Sequence, residues 1–125
     1  MTNSTSLHEN SEDLSPETVD RHRAISSIME ELEAVDWYDQ RMEVATDPEL
    51  KRILAHNRDE EKEHAAMMIE WLRRNDDAFD GHLRTYLFSE RSIVELEAED
   101  TGSDSKPADS SSSLRIGGLQ DGSKS

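Results

Sequence analysis

Two seams with a heptad-like rhythm flank the short segment Thr46-Asp47-Pro48-Glu49, and they decide most of what this chain can fold into. Before the segment, Ala24, Ile28, Glu31, Val35, Tyr38, Met42 and Ala45 follow one another at alternating steps of four and three. After it, Leu50, Leu54, Asn57, Glu61, His64, Met68 and Trp71 do the same. Such spacing sets residues on one face of a helix. Asp47 reads as an N-cap and Pro48 as a first-turn residue, so one helix ends and the next begins within a few positions. A link this short predicts an antiparallel helical hairpin. Ser15-Pro16-Glu17 predicts the start of the first helix, with a capping hydroxyl, a proline at the first helical position and an acid in the first turn. A parallel stripe of Ile25, Met29 and Leu32 is expected to widen the buried face.

The polar members of the seams carry the chemistry. A lone carboxylate in an apolar seam, as at Glu31, costs several kcal/mol to desolvate unless something pairs with it. On the second seam Glu61 and His64 lie three apart, one above the other on a helix, so a carboxylate and an imidazole can grip one ion together. Counting from Asp47, Glu31 is 16 positions back, Glu61 is 14 forward and His64 is 17 forward. At ~1.5 Å per residue these are heights of roughly 24, 21 and 26 Å, so the three residues are expected to meet at one level. The bland alternative is an internal Glu–His ion pair that perturbs pKa values and binds nothing.

Carboxylate-bridged di-iron sites in four-helix bundles draw one Glu from each of two helices and a Glu-x-x-His from each of the other two. This chain supplies half of that set. A two-fold dimer of hairpins would complete it and would cover the seams that one hairpin leaves open. Carboxylate oxygens with imidazole suit iron or manganese, and also zinc or cobalt.

Composition narrows the remaining options. With 125 residues, 33% of them hydrophobic, a large monomeric core is not expected. A net charge of −15 argues against nucleic acid and anionic membrane surfaces and suits a protein that handles cations. The absence of cysteine removes disulfides, iron–sulfur clusters and thiol nucleophiles, leaving oxygen and imidazole as the metal ligands. Apolar runs too short for a bilayer and a polar start predict a cytoplasmic protein without a secretion signal.

The flanks read differently from the hairpin. Residues 1–14 are polar and aperiodic, as expected of a loose arm. Arg73-Arg74-Asn75 predicts the end of the second helix, and Asp76-Asp77 a third helical segment whose apolar stripe is Phe79, Leu83, Tyr86 and Leu87, with Ile93, Val94 and Leu96 as further candidates. Gly81 and Ser89 to Ser92 weaken its continuity. Residues 98–112 read as a flexible linker of acid, Gly, Ser and Pro. Beyond it, Leu114, Ile116 and Leu119 form an apolar patch at 113–119 that suits a tethered docking peptide, followed by a polar tail at 120–125.

Several long stretches resemble the encapsulated ferritins: Arg21 to Ile25, Met29 to Gln40, and Leu54 to Met67. The resemblance covers roughly Glu17 to Phe88, and Leu114-Arg115-Ile116-Gly117-Gly118-Leu119 is similar to the encapsulin-targeting peptide of that family, Leu-x-Ile-Gly-x-Leu. It implies an all-α fold: an antiparallel two-helix hairpin plus a C-terminal helix over 15–97, dimerising into a ferritin-like four-helix bundle, with the dimers arranged as a ring-shaped decamer. It implies a ferroxidase that oxidises Fe(II) with oxygen at a di-iron centre across the dimer interface. Iron would then mineralise inside an encapsulin shell, which the chain joins through Leu114, Ile116, Gly117 and Leu119. By position Glu31, Glu61 and His64 would hold the iron, and Trp37 and Tyr38 would flank it. Glu30 and Glu33 would form the entry site, and His56, Glu60 and Glu63 a secondary cation site with calcium as its candidate ion. Read without the resemblance, those last five residues are solvated surface charges.

Two other classes are expected alternatives. A di-metal peroxidase of the rubrerythrin kind would use similar ligands, but the chain has no cysteine for a rubredoxin-like iron. A non-enzymatic cargo adaptor would use Glu31, Glu61 and His64 only as a pH-sensitive network.

Overall fold

The computed structural model describes residues 6–104, with side chains through Asp100, and every regular element among them is helical. A 3-10 turn at Ser11–Asp13 precedes α1 (Pro16–Val44), α2 (Pro48–Arg74), α3 (Asp77–Tyr86) and α4 (Ile93–Asp104). None of these helices is long and apolar enough to cross a membrane.

Local chemistry sets the helix ends as expected. The Ser15 hydroxyl accepts from the Thr18 backbone N–H at 3.1 Å and opens α1. The Asp47 carboxylate accepts from the Leu50 N–H at 2.8 Å, and the Asp47 carbonyl accepts from the Lys51 N–H at 3.0 Å, so α2 starts one residue after its cap. Asp76 caps α3 in the same way, accepting from the Phe79 N–H at 3.0 Å.

The chain divides into two compact units, Met1–Leu72 and Arg73–Ser125. In the first, α1 and α2 run antiparallel. Arg58 of α2 reaches Asp39 of α1 near the turn, whereas Glu61 and His64 further along α2 meet Glu31 further back along α1. Among the described residues of this unit the buried apolar side chains are Ala24, Ala65 and Leu72, each less than 5% exposed. Ala24, Glu31 and Tyr38 follow at steps of seven on α1, and Arg58, Ala65 and Leu72 do so on α2. These two rows hold the buried positions of the hairpin.

That corrects part of the seam reading. On α1 the expected seam is the covered row, but on α2 the most buried positions lie one residue beyond His64 and Trp71. The stripe expected to widen the buried face is largely open, with Ile25 and Leu32 about half exposed. Two helices can cover only one line on each other, so residues beside that line stay at the surface. Leu50, Ile53 and Met67 are exposed for the same reason.

In the second unit Asp80 receives hydrogen bonds from Arg73, at the end of α2, and from Arg84, one turn on, at 3.0 Å. Gly81 lies inside α3, and the break comes later. Leu87 is extended, and the fully exposed Phe88 takes a left-handed conformation with φ of 62°. The helix then restarts at Ile93, where the Ser92 carbonyl accepts from the Leu96 N–H at 3.0 Å. Because α4 runs to Asp104, residues 98–104 are helical where a linker is expected from the sequence. Glu97-Ala98-Glu99 favours helix, and the paired Arg91 and Glu99 staple its first turns.

Candidate metal centre

Glu31 sits mid-way along α1, and Glu61 and His64 project from the same face of α2 one turn apart. Each offers a ligand atom, and these atoms lie within 4.8 Å of one another. Two atoms on one ion at bonds of about 2.0–2.2 Å are at most about 4.4 Å apart, so a small side-chain rotation closes the set. The Nδ1 atom of His64 is 3.7 Å from Oε1 of Glu61, too far for a hydrogen bond. The two ligands are therefore not consumed by each other.

Glu31 shows the strongest local demand for a partner. Its Oε1 is shut off from solvent and has no hydrogen-bond partner. Burial raises the pKa of this carboxyl above its ordinary value, the nearby His64 opposes the rise, and the negative charges of Glu61 and Glu30 add to it. An unsatisfied buried acceptor typically costs about 1–3 kcal/mol. A bound cation would satisfy the oxygen and relieve the repulsion between Glu31 and Glu61. Of the two α2 side chains, Glu61 is the more covered, with 27% of it exposed against 40% for His64.

The remaining expected residues fall around this cluster. Glu30 is exposed, yet close enough to act on the Glu31 carboxyl; Glu33 is exposed on the same helix. Tyr38 continues the covered row of α1, half-buried, two helical turns toward the hairpin turn. Trp37 is about half exposed. The Arg41 guanidinium lies over both rings, 5.9 Å from Trp37 and 5.6 Å from Tyr38. Glu60 stands between two histidines, with 3.7 Å from its Oε2 to Nε2 of His56 and 3.9 Å from its Oε1 to Nε2 of His64. Glu63 is exposed one turn further on. The docking residues Leu114, Ile116, Gly117 and Leu119 lie outside the described residues.

Sequence reasoning missed the Arg58–Asp39 pair and the row that contains it. The repeat Arg58, Ala65, Leu72 was legible, but attention to the fuller apolar seam beside it hid a row that begins with a charge. Arg41 was likewise readable, since it follows Trp37 by four and Tyr38 by three.

A helical hairpin that brings one carboxylate from the first helix to a Glu-x-x-His pair on the second defines a protein of the ferritin-like class. The chain belongs to the EncFtn-like family, whose sequence profile matches residues 6–90. It is 60% identical to the encapsulated ferritin-like protein of Rhodospirillum rubrum, over 94% of this chain and 89% of that one. It is 50% identical to a ferritin-like protein of Thermotoga maritima, over 76% of this chain and 83% of the relative. The crystal structure of protein ne0167 from Nitrosomonas europaea has a similar fold, with a TM-score of 0.69 and 60% identity over 70% of this chain and 97% of that one.

Proposed function

We propose that the chain is a ferroxidase that takes Fe(II) as substrate at a two-iron site built from two copies of Glu31, Glu61 and His64. The observation that carries this reading is the convergence of those residues around a buried carboxylate oxygen that lacks a partner. The chemistry of the donor set supports it. Two chains would supply four carboxylates, whose charge would balance two Fe(II) ions, and two imidazoles, which would complete an oxygen and nitrogen donor set suited to iron. Two Fe(II) ions would each give up one electron to one dioxygen and become Fe(III), and the dioxygen, having taken two electrons and two protons from solvent, would leave as hydrogen peroxide.

Around the centre, Glu30 and Glu33 attract and relay Fe(II), and Trp37 and Tyr38 flank the site. His56, Glu60 and Glu63 hold a second cation, for which calcium is the candidate. The pairs form within a dimer, and the dimers form a ring-shaped decamer. The exposed apolar residues of α1 and α2 support self-association, because one hairpin leaves them uncovered. Leu114, Ile116, Gly117 and Leu119 dock the chain in an encapsulin shell, where iron is stored as mineral; the name of the Rhodospirillum relative supports this placement.

The deciding experiment is iron stoichiometry with the oxidation time course under air on the native assembly. About one iron per chain and rapid Fe(III) formation, both lost in Glu31→Ala, are expected. Background oxidation with no tightly bound iron overturns the reading.

A further inference from the structure

The two helices need something besides apolar packing to align the metal ligands. Ala24, Ala65 and Leu72 are the buried contacts of the hairpin, and all lie at the level of Glu31 or beyond it, away from the turn. At the ligand level itself Glu31 meets Glu61 as well as His64, and its Oε1 makes no hydrogen bond that would lock the two helices together. The next position of the covered α2 row toward the turn is Arg58, a charged residue where the repeat calls for an apolar one. Only 18% of its side chain is exposed. Its Nη1 donates to Oδ1 of Asp39 on α1 at 2.9 Å, and its Nε donates to Oδ1 of Asp59 at 3.1 Å. Lys62, one turn beyond Arg58, approaches the same Asp59 oxygen at 3.6 Å.

We propose that the Asp39–Arg58 pair is a positioning strut that holds α2 at the rotation in which Glu61 and His64 face Glu31 for a divalent cation. This rests on the reading of the three residues as a metal centre. Arg58 precedes Glu61 by one helical turn on nearly the same face, so rotation of α2 that pulls Arg58 from Asp39 also swings Glu61 away from Glu31. A long side chain fixed at both its Nη1 and its Nε by two carboxylates has little freedom left, which suits a rigid spacer better than a solvated charge. Supporting groups of this kind tune affinity by holding ligands in register without touching the ion. A single part-exposed ion pair has a limited effect. Two copies act on one two-chain site, so together they are expected to set affinity by about tenfold.

Cobalt(II) titration of the full-length protein, followed by visible absorption, tests the strut without oxidation chemistry. Asp39→Asn and Arg58→Gln are expected to weaken Co(II) binding about tenfold and to shift its d–d band at unchanged helix content. Arg58→Lys, which keeps the charge, is expected to recover part of the loss. Equal affinity and band shape in the parent, Asp39→Asn and Arg58→Gln, with binding abolished by Glu31→Ala, overturns the strut and leaves the metal centre standing. A loss that merely follows a fall in helix content also overturns it. If the parent binds no Co(II), the metal centre falls and the strut falls with it.

Discussion

Glu31 on α1 faces His64 on α2 across the hairpin, and the imidazole pulls down a carboxyl pKa that burial has pushed up. Neither group removes the difficulty of the other, since Glu31 Oε1 remains without a hydrogen-bond partner. The cation-free site is thus unfavourable on its own, and a divalent ion gains whatever relief it brings.

A trade of stability for binding follows at Glu31. Replacing it with Gln removes the buried charge, so the metal-free protein should gain roughly 1 kcal/mol near neutral pH, a rise of a few degrees in Tm. The same variant should lose rapid iron oxidation. Calorimetry under chelator and an oxidation trace under air measure the two halves.

Metal affinity should weaken on acidification earlier than an ordinary carboxylate would allow. The folded-state pKa of Glu31 lies above its ordinary value, so protons compete with the ion from a higher pH downward. The sign for folding is opposite. A raised carboxyl pKa contributes stability that is present below the unfolded value and lost as pH rises through the folded one. Denaturation of the metal-free protein against pH should show that loss, and Glu31→Gln should remove it.

Asp80 behaves in the reverse direction. Burial alone would raise its pKa, but hydrogen bonds from Arg73 and Arg84 outweigh it and leave the carboxyl below its ordinary 3.8. Its contribution is therefore present above the unfolded pKa and is lost as pH falls through the folded value. Asp80→Asn should cost about 1 kcal/mol at neutral pH and progressively less in acid, as read by urea melts at several pH values.

Removing Leu114 to Ser125 should separate oxidation from loading. The truncated protein should oxidise Fe(II) at the parent's rate and fail to co-purify with encapsulin when the two are expressed together. Co-purification at the parent's level would reject the docking role of Leu114, Ile116, Gly117 and Leu119.

The hairpin and the convergence of Glu31, Glu61 and His64 were legible because they follow local rules. Ser15, Asp47 and Asp76 announce helix starts by the chemistry of their side chains, and the helical rise alone sets Glu31 level with Glu61 and His64. The covered row of α2 was less legible, since Ala65 and Leu72 begin with Arg58 and look weaker than the neighbouring seam of larger apolar residues. Whether a charge is accepted in such a row depends on Asp39, a residue on the other helix, and periodicity within one helix cannot express that. The extent of α4 escaped for a different reason. A stretch of acids reads as linker until Arg91 is seen to hold Glu99.

The tight connection between α1 and α2 also orders events in time. Contacts near the turn close small loops and form early, whereas those further out must wait for the intervening turns of helix. Asp39 and Arg58 span the shorter loop, and Glu31, Glu61 and His64 a longer one that encloses it. As the hairpin zips outward from Asp47, the ion pair is expected to form first, and Glu31, Glu61 and His64 to meet afterwards on helices already joined.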